Sequence, residues 1–517
     1  MLRKNMFFSL IFLILFISAC SNNTNTSSTK ESGVSEGESN TEQILKIAND
    51  QEPAGLDPHK TPAHSSVRIY SKVYEGLVTF NENMEVVGQL AKDWEQPDDN
   101  TYIFNLVEGV KFHNGNEMTA EDVKYSFERI LDEETASHIS SYFSDVKNIE
   151  VLSDYQIKFE LEESNATFLA NLTNSSAAIV SKEVVEENGD LQQVAVGTGP
   201  FVFEEWVPDN NVTLTKNEDY YIEDIPLLDK VEYYTMKEEA ARLSAIRTGE
   251  IDMTTLTAKS AELLKNEDKI NIKDYQSLEY SYVGFNVEKE PFNNKKVRQA
   301  LSLATDRENI AEIVWNGDAK ITGPITPAMG DWAIDVTKEE LYQRNIAKAK
   351  ELLTEAGYPD GFSTTITTAS TYSDMVDTAQ LLQQQWKEIG INADIAQIEW
   401  GEYIDTWSNT SADILIGRNG SGTDPDRAMN YFFNTEGSAN VWNFSNKEYD
   451  EIVDKGKNTL EKEKRREIYD KAQERLIELS PNLFLVSPKN YVAVTKSVEG
   501  YTPYAHNAED IEKTYKK

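Results

Sequence analysis

Hydrophobic and polar residues follow two different periods along this chain. Apolar side chains occupy every second position of 155–161 and 391–395, which predicts half-buried strands. Apolar residues three and four apart predict amphipathic helices over 119–131, 346–356 and 377–390. The first helix opens with a capping-box pattern, the second stops at Gly357 and the third ends at Gly390. Strands that alternate with helices throughout the chain predict a mixed α/β fold, and the sequence has no internal repeat.

The first twenty residues differ, because a short basic start leads into an unbroken apolar run. Residues 6–17 are almost purely apolar, and a helix of that length spans about 18 Å, well short of the roughly 30 Å core of a bilayer. This pattern predicts a secretory signal peptide over 1–19. The run ends at Cys20, the only cysteine of the chain. It resembles the lipobox of bacterial lipoproteins, which implies that Cys20 carries diacylglycerol and palmitate-type chains; an ordinary signal peptide with an unmodified cysteine is the alternative.

A polar segment follows Cys20. Residues 21–43 contain one large apolar side chain, Val34, so they bury too little surface to offset the entropy of ordering. We expect residues 20–43 to be a disordered tether that begins at the lipidated cysteine. Ser21, directly after the cysteine, favours a single-membrane bacterium, with the protein anchored at the extracytoplasmic face of the cell membrane.

Composition excludes some classes of partner. The chain has 50 Lys and Arg against 88 Asp and Glu, a formal net charge of −38, which argues against binding to nucleic acid phosphates. If Cys20 carries lipid, no cysteine remains for a disulfide or a thiolate-bound metal. The segment after the tether is too long for one hydrophobic core, so we expect two or three domains.

Six short stretches resemble one protein family when they are taken in order. They are EPAGLDPH at 52–59, the region 90–131, GTGPF at 197–201, 284–304, AGYPDGF at 356–362 and FSNKEYDEI at 444–452. Together they resemble the extracellular solute-binding proteins of family 5, which serve oligopeptide, dipeptide and nickel ABC importers. The resemblance covers essentially all of 44–500.

The resemblance implies an α/β fold of the periplasmic-binding-protein-like type II, with two lobes, a two-crossing hinge and an extra subdomain in lobe I. Lobe I is then expected at 44–283 plus 488–517, with the subdomain at about 76–194. Lobe II is expected at 284–487. The hinge crossings are expected near 282–286 and 485–489.

The same resemblance implies a monomeric substrate-binding lipoprotein that captures peptides outside the cell. Closure of the lobes around the peptide would present it to the permease and ATPase subunits of the importer. A receptor for an opine-like or glutathione-like conjugate, or for a nickel chelate, is the alternative in the same transport role. No cofactor is implied.

The glycine-rich stretch ILIGRNGSGTDPD at 414–426 predicts a buried strand that ends in a turn. In dipeptide-binding relatives an aspartate of this turn pairs with the ligand ammonium, and here that position is Ser421. Those relatives also carry an arginine for the ligand carboxylate in the segment that aligns with 369–371, which here reads Ala-Ser-Thr. Both anchors are therefore absent or moved. We expect Arg418, Asn419, Ser421 and Asp424 to contact the ligand; in the alternative, Arg418 pairs with Asp424 or Asp426 and only shapes the loop.

Four further ligand contacts follow from the resemblance alone. They are His64, Tyr142, Phe285 and Asn286. Trp206 and Trp400 are expected in the core.

Two rival functions have weak support in the sequence. A catalytic function would need a motif such as a nucleophile elbow, a P-loop or a metalloprotease helix, and none of these motifs is present. Direct nickel binding is disfavoured because the five histidines are dispersed; no metal site is therefore expected. A signalling or adhesive surface lipoprotein stays open.

Overall fold

Strands from both ends of the chain belong to the largest β-sheet. The structure is a computed structural model, and it describes residues 42–506 and 509–517. The strands of this part of the chain are β1 (Ile44–Asn49), β2 (Val78–Phe80), β3 (Val86–Gly88), β4 (Ala91–Asp98), β5 (Thr101–Leu106), β6 (Val146–Ser153), β7 (Gln156–Leu161), β8 (Phe201–Val207), β9 (Asn211–Lys216), β10 (Lys230–Thr235), β11 (Met253–Leu256), β12 (Ile270–Gln276), β13 (Glu279–Phe285), β14 (Ala319–Ile321), β15 (Ser363–Ala369), β16 (Asn392–Ile398), β17 (Ile414–Gly420), β18 (Asn482–Phe484), β19 (Val486–Thr495), β20 (Val498–Glu499) and β21 (Tyr515–Lys516).

The helices of the same residues lie mainly between strands. They are α1 (His64–Tyr70), α2 (Ala120–Leu131), α3 (Phe168–Leu172), α4 (Lys182–Asn188), α5 (Glu239–Thr248), α6 (Ala258–Leu264), α7 (Lys295–Ala304), α8 (Arg307–Trp315), α9 (Ile346–Glu355), α10 (Ser373–Lys387), α11 (Trp400–Ser408), α12 (Lys447–Lys457) and α13 (Lys462–Leu479). No helix within the described ranges is long and apolar enough to cross a membrane. The predicted signal peptide, Cys20 and nearly all of the tether lie outside the described residues.

The patterned segments form the elements that their periods predict. β7, β16, α2 and α9 fall within or beside the predicted ranges. The capping box before α2 is present, with Thr119 and Asp122 exchanging its two hydrogen bonds. α10 begins at Ser373, four residues earlier than predicted, because the polar residues of its first turn lie outside the apolar stripe from which it was predicted.

The large sheet has the strand order β12-β19-β11-β1-β10-β9-β8, and β14 pairs with β19 at its side. β1 runs parallel to β10 and β11, whereas β19 runs antiparallel to β11 and β12. Val492 and Val494 of β19 lie in the same hydrophobic cluster as Leu45 and Ile47 of β1. The C-terminal strand therefore completes a core that the first strand begins.

The second sheet has the order β16-β15-β17-β13-β18. β15 runs parallel to both β16 and β17, and β13 runs antiparallel to β17. Its hydrophobic cluster includes the fully buried Trp386 of α10 and Ile414 and Ile416 of β17. Burial of Ile414 and Ile416 confirms the strand predicted before the glycine-rich turn.

The small sheet has the order β4-β5-β7-β6 and a separate aromatic core. Phe127 of α2 meets Phe159 and Phe143 edge to face, with ring centroids 5.0 and 5.1 Å apart. The buried residues of this core lie between Leu77 and Ile179, inside the range expected for the extra subdomain.

The chain passes between the large and second sheets at two neighbouring places. β12 of the large sheet leads through residues 277–278 into β13, and β18 leads through Leu485 into β19. Ser487 donates a hydrogen bond to the Ser277 carbonyl at 2.9 Å, so the two crossings are tied together. The first crossing lies earlier than the expected 282–286, and the second lies within 485–489. The domain boundaries at 283/284 and 487/488 stay predictions.

Candidate functional site

Three strand ends meet at one edge of the second sheet. β15, β16 and β17 are parallel and end at Ala369, Ile398 and Gly420. Ligands of open α/β sheets bind beyond the carboxyl ends of such strands. The residues at or just after these three ends therefore form the candidate site.

An aromatic and charged cluster occupies this edge. Tyr372 and Trp400 meet edge to face with ring centroids 5.1 Å apart. The guanidinium carbon of Arg418 lies 4.5 Å from the centre of the Tyr372 ring. Trp400 is 38% exposed, so its expected place in the core is wrong: it is the first residue of α11 and only one of its faces stacks on Tyr403.

Arg418 pairs with an aspartate that the sequence did not single out. Its Nε lies 3.6 Å from Oδ2 of Asp374, in the first turn of α10. The alternative in which Arg418 pairs with Asp424 or Asp426 is therefore wrong. Arg418 stays partly exposed at the strand edge, and its contact with a ligand stays a prediction.

Asp424 already has a cation partner inside the protein. Arg465 of α13 donates to both carboxylate oxygens of Asp424, at 2.7 and 2.6 Å. Binding a ligand ammonium would require this pair to break, which counts against the expected ligand contact of Asp424. Burial, with the neighbouring Asp424 charge, raises the pKa of Asp426 to about 6, and Asp426 accepts a hydrogen bond from Tyr469 at 2.7 Å.

Ser421 is fully buried and belongs to the framework of the site. Its hydroxyl donates to the Leu278 carbonyl at 2.9 Å and lies 3.1 Å from the hydroxyl of Thr326. These bonds fasten the glycine-rich turn to the first crossing, which conflicts with the expected ligand contact. Asn419 is half-buried opposite Tyr280 of β13, and its contact with a ligand stays a prediction.

Arg427 is the site residue that sequence reasoning missed. Its guanidinium donates to the Tyr142 hydroxyl and lies 4.5 Å from the Tyr431 ring centre. Arg418 and Arg465 each pair with a carboxylate, whereas no carboxylate of the described residues lies within ion-pair distance of Arg427. Gly422 has a φ of +71°, and a Cβ there would lie 2.5 Å from Cδ of Arg427. Glycine at 422 is thus what lets Arg427 pack across the turn.

Tyr142 reaches Arg427 from the small-sheet side. It lies in the 3₁₀ turn Ser140–Phe143, whose Phe143 belongs to the small-sheet core. Burial raises the pKa of the Tyr142 hydroxyl, and the Arg427 charge acts in the opposite direction. The structure therefore brings Tyr142 to the glycine-rich turn, as expected for a cleft wall, and gives it a partner that was not expected.

Further contacts join the small sheet to the helices that follow the turn. Asp145 pairs with Lys457 at 3.1 Å, and the Ala166 amide donates to the Lys457 carbonyl at 2.9 Å. Ser164 donates to the Asn458 carbonyl at 3.3 Å. The structure thus holds the small sheet against the C-terminal end of α12.

Phe285 and Asn286 do not belong to this site. Phe285 is fully buried and stacks on Phe292 with ring centroids 5.3 Å apart. Asn286 is nearly buried and donates to the Thr410 carbonyl at 2.9 Å. β13 is antiparallel to β17, so these residues lie beside the start of β17, away from Arg418. This placement counts against the expected ligand contacts of the two residues, which stay predictions.

His64 is exposed at the first position of α1, outside the three strands of this edge, and its contact with a ligand stays a prediction. Among the described residues, no group of three or more His, Cys, Asp or Glu side chains is arranged to hold a metal ion.

Comparisons with known proteins agree on one family. The family model "Bacterial extracellular solute-binding proteins, family 5 Middle" matches residues 85–440. Di/tripeptide-binding protein 1 of Pseudomonas aeruginosa is 30% identical over 90% of this chain and 93% of its own length. The oligopeptide-binding protein AppA of Bacillus subtilis is 28% identical over 95% of this chain and 94% of its own length.

A solved structure shows the same fold. The periplasmic binding protein DppA of Helicobacter pylori, in complex with the peptide STSA, superposes with a TM-score of 0.79 at 30% identity. The match covers 92% of this chain and 98% of that one.

Proposed function

Because this chain belongs to the bacterial extracellular solute-binding proteins of family 5, we propose that it captures peptides outside the cell and delivers them to the permease of an ABC importer. Its fold is the two-lobed, type II periplasmic-binding-protein fold. Two crossings join the large and second sheets, and a ligand held between lobes favours the closed state over the open one.

The observation that carries the proposal is the unpaired charge of Arg427. A guanidinium presents several N–H donors that fit a carboxylate, and every linear peptide ends in one. The Tyr142 hydroxyl is neutral, so the contact between them leaves the charge of Arg427 uncompensated. A peptide carboxylate placed here would contact both Arg427, which follows strand β17 of the second sheet, and Tyr142, which lies in the turn beside the small-sheet core.

We assign no chemical step to the protein. The relatives named above are binding proteins. Delivery by lobe closure needs a receptor that releases its ligand unaltered.

The proposal includes lipid anchoring at Cys20. The short apolar run before this cysteine and the polar tether after it support a receptor held at the extracytoplasmic face of the cell membrane. Intact-mass measurement of the protein from membranes is expected to find a mature chain that starts at an acylated Cys20. A mature chain without lipid would overturn this part.

Calorimetry with the Cys20→Ser chain tests the ligand class. The probes are a library of peptides of two to nine residues, an opine, glutathione and nickel with histidine. We expect peptides to bind. Arg427→Met should weaken their binding about 30-fold, or about 2 kcal/mol, because a desolvated charged contact is lost.

A double-mutant cycle makes the test specific. Amidation of the peptide C-terminus should weaken binding to the parent protein but add little to the loss in Arg427→Met. The matched control is Arg466→Met, an exposed arginine of α13, which should bind as the parent does. Binding of the opine, glutathione or nickel probes without any peptide binding would contradict the proposal.

A further inference from the structure

The first crossing between the large and second sheets consists of two residues with different partners. Ser277 donates its amide hydrogen to the Pro488 carbonyl at 3.0 Å, and its own carbonyl accepts from the Ser487 hydroxyl at 2.9 Å. The Leu278 carbonyl accepts from both the amide and the hydroxyl of Ser421, at 2.8 and 2.9 Å. Ser277 therefore connects the first crossing to the second, whereas Leu278 connects it to the glycine-rich turn.

The hydrogen bonds of the Ser421 side chain have a defined direction. A hydroxyl has one hydrogen to donate, and the Ser421 hydroxyl gives it to the Leu278 carbonyl. The Thr326 hydroxyl, 3.1 Å away, therefore donates to the Ser421 oxygen. Both hydroxyl residues are fully buried, and a buried polar group that loses its partner costs free energy. The contact between Ser421 and Leu278 is therefore strongly specified.

The direction of the Leu278 carbonyl depends on the angle between the two sheets. Hinge motion is absorbed by a few loop residues that change their φ and ψ angles, and only residues 277 and 278 lie between β12 and β13. A change in the ψ angle of Leu278 turns its carbonyl oxygen. In the structure this oxygen faces Ser421 while Tyr142 contacts Arg427. The Ser421 bonds therefore belong to the arrangement in which the small sheet meets the turn.

Ser421 also lies beside the residue proposed to hold the peptide carboxylate. Gly422 follows it directly, and the Arg427 side chain packs so closely that a Cβ on Gly422 would lie 2.5 Å from its Cδ. A ligand that fixes Arg427 therefore also fixes the turn one residue away from Ser421. The crossing and the candidate site thus meet at this serine.

We propose that Ser421 is a positioning residue that couples ligand binding at the glycine-rich turn to the orientation of the first crossing. This inference rests on the proposed function and deepens it, because it assigns lobe closure to a specific contact within the chain. Ser421 touches no ligand in this role. It holds the Leu278 carbonyl in the direction that the closed arrangement requires, and only a side chain with a hydrogen to donate can do so.

A distance measurement tests the coupling. Spin labels at the exposed Ser144 and Lys455 are introduced as cysteines into the Cys20→Ser chain, with and without Ser421→Ala. The ligand is a peptide that calorimetry shows to bind, over a series of concentrations. We expect Ser421→Ala to lower the ratio of short to long distances about five-fold at every concentration, saturating ones included. This fall corresponds to the loss of one buried hydrogen bond, about 1 kcal/mol.

The saturating concentrations separate coupling from a direct ligand contact. If Ser421 contacted the ligand, Ser421→Ala would raise the peptide concentration needed for closure and leave the ratio at saturation unchanged. That result would overturn the proposed coupling.

Ser126→Ala is the matched control. Ser126 of α2 is also fully buried, donates to the Asp122 carbonyl at 2.7 Å and accepts from the Val180 amide at 2.9 Å, and these partners lie outside both crossings. We expect Ser126→Ala to lower the free energy of unfolding by a similar amount and to keep the distance ratio of the parent. An equal fall of the ratio in both variants would indicate general loosening and would overturn the coupling.

Thr326→Val replaces Ser421→Ala if the latter does not fold. It keeps the bonds between Ser421 and Leu278 and removes only the hydrogen that Thr326 donates, so we expect the ratio to fall about two-fold. If the parent binds peptide and closes while the variant keeps the parent ratio, the coupling is wrong and the proposed function stands. If the parent binds no peptide, the proposed function itself fails.

Discussion

Two arginines beside the glycine-rich turn have opposite electrostatic surroundings. Arg465 is buried and satisfied by Asp424, whereas Arg427 contacts rings and a neutral hydroxyl. Asp424 and Tyr142 lie far from their arginines in the sequence, so the local sequence does not distinguish an arginine that pairs with a carboxylate from one that has no ion pair among the described residues. The replacement of the ammonium-binding aspartate by Ser421 could be recognised from the motif, but the burial of Ser421 against Leu278 could not.

Glu75 is a second residue whose role only the structure reveals. It is nearly buried and accepts hydrogen bonds from the hydroxyls of Tyr220, Tyr221 and Thr198 at 2.8, 3.0 and 2.9 Å. Burial raises its pKa from 4.5 to about 7, although these hydroxyls act in the opposite direction. Between these two pH values the folded protein holds a proton that the unfolded chain has lost. The free energy of unfolding therefore falls as pH rises through this range.

We expect Glu75→Gln to remove this dependence. Between pH 4.5 and 7 the parent should lose about 3 kcal/mol more of its free energy of unfolding than the variant does. Urea unfolding at several pH values across this range measures the difference. Glu108→Gln, at a side chain 69% exposed, is the control and should follow the parent. Equal pH dependence in Glu75→Gln and the parent would refute the shifted pKa.

At the scale of elements, the sequence predicts where single helices and strands form better than it predicts which strands pair with one another. The capping box fixed the start of α2, and the apolar run at 414–416 located β17. The parallel pairing of β15 with β16 and β17 is not encoded in any one segment. This pairing brings Tyr372 and Trp400 to the same edge, so the cluster around Arg418 could not be predicted.

The motif EPAGLDPH at 52–59 connects its own segment to helix α2 and to the loop at Ala178. Asp57 is fully buried and pairs with Arg129 of α2 through bonds of 3.0 and 2.5 Å. Arg129 also donates to Nδ1 of His59 at 2.7 Å. Burial and the Arg129 charge lower the pKa of His59 to about 4. The ring is therefore neutral at physiological pH, with its Nε2–H donating to the Ala178 carbonyl at 3.0 Å.

Arg129→Met should reduce the free energy of unfolding by about 3–5 kcal/mol, because it leaves Asp57 buried without its cation. Lys124→Met on the same helix is the control: its pair with Glu128 is exposed and 3.8 Å long, so we expect a change below about 1 kcal/mol. Denaturant unfolding measures both variants. Equal losses in the two variants would contradict a structural role for the buried pair.

The stabilisation by the Asp57–Arg129 pair depends on pH. Burial acts to raise the pKa of Asp57, but Arg129 outweighs it and the net shift is downward from 3.8. The stabilisation is therefore present above the ordinary carboxyl pKa and is lost as pH falls through the lowered value.

At the scale of the whole molecule, the two crossings between the large and second sheets, and the contacts made far from them by the small sheet, determine how the lobes can move relative to each other. The crossings are tied to each other by Ser487 and Ser277. The small sheet meets the second-sheet side through Tyr142 with Arg427 and through Asp145 with Lys457. Rotation about the crossings would break the distant contacts while leaving each sheet intact. The resemblance implied two crossings. It did not imply that β13 begins as early as Glu279, so the first crossing was expected too late in the chain.

The most direct test of the central claim, closure around a peptide, is a distance measurement between the two sides. Spin labels at Ser144 and Lys455, both exposed beside the Asp145–Lys457 pair, are introduced as cysteines into the Cys20→Ser chain. We expect a broad, long distance distribution without ligand and a narrow, short one with a peptide that calorimetry shows to bind. Arg427→Met should require more of the same peptide to reach the short distance. A distribution that stays the same with and without bound peptide would contradict closure as the mode of action.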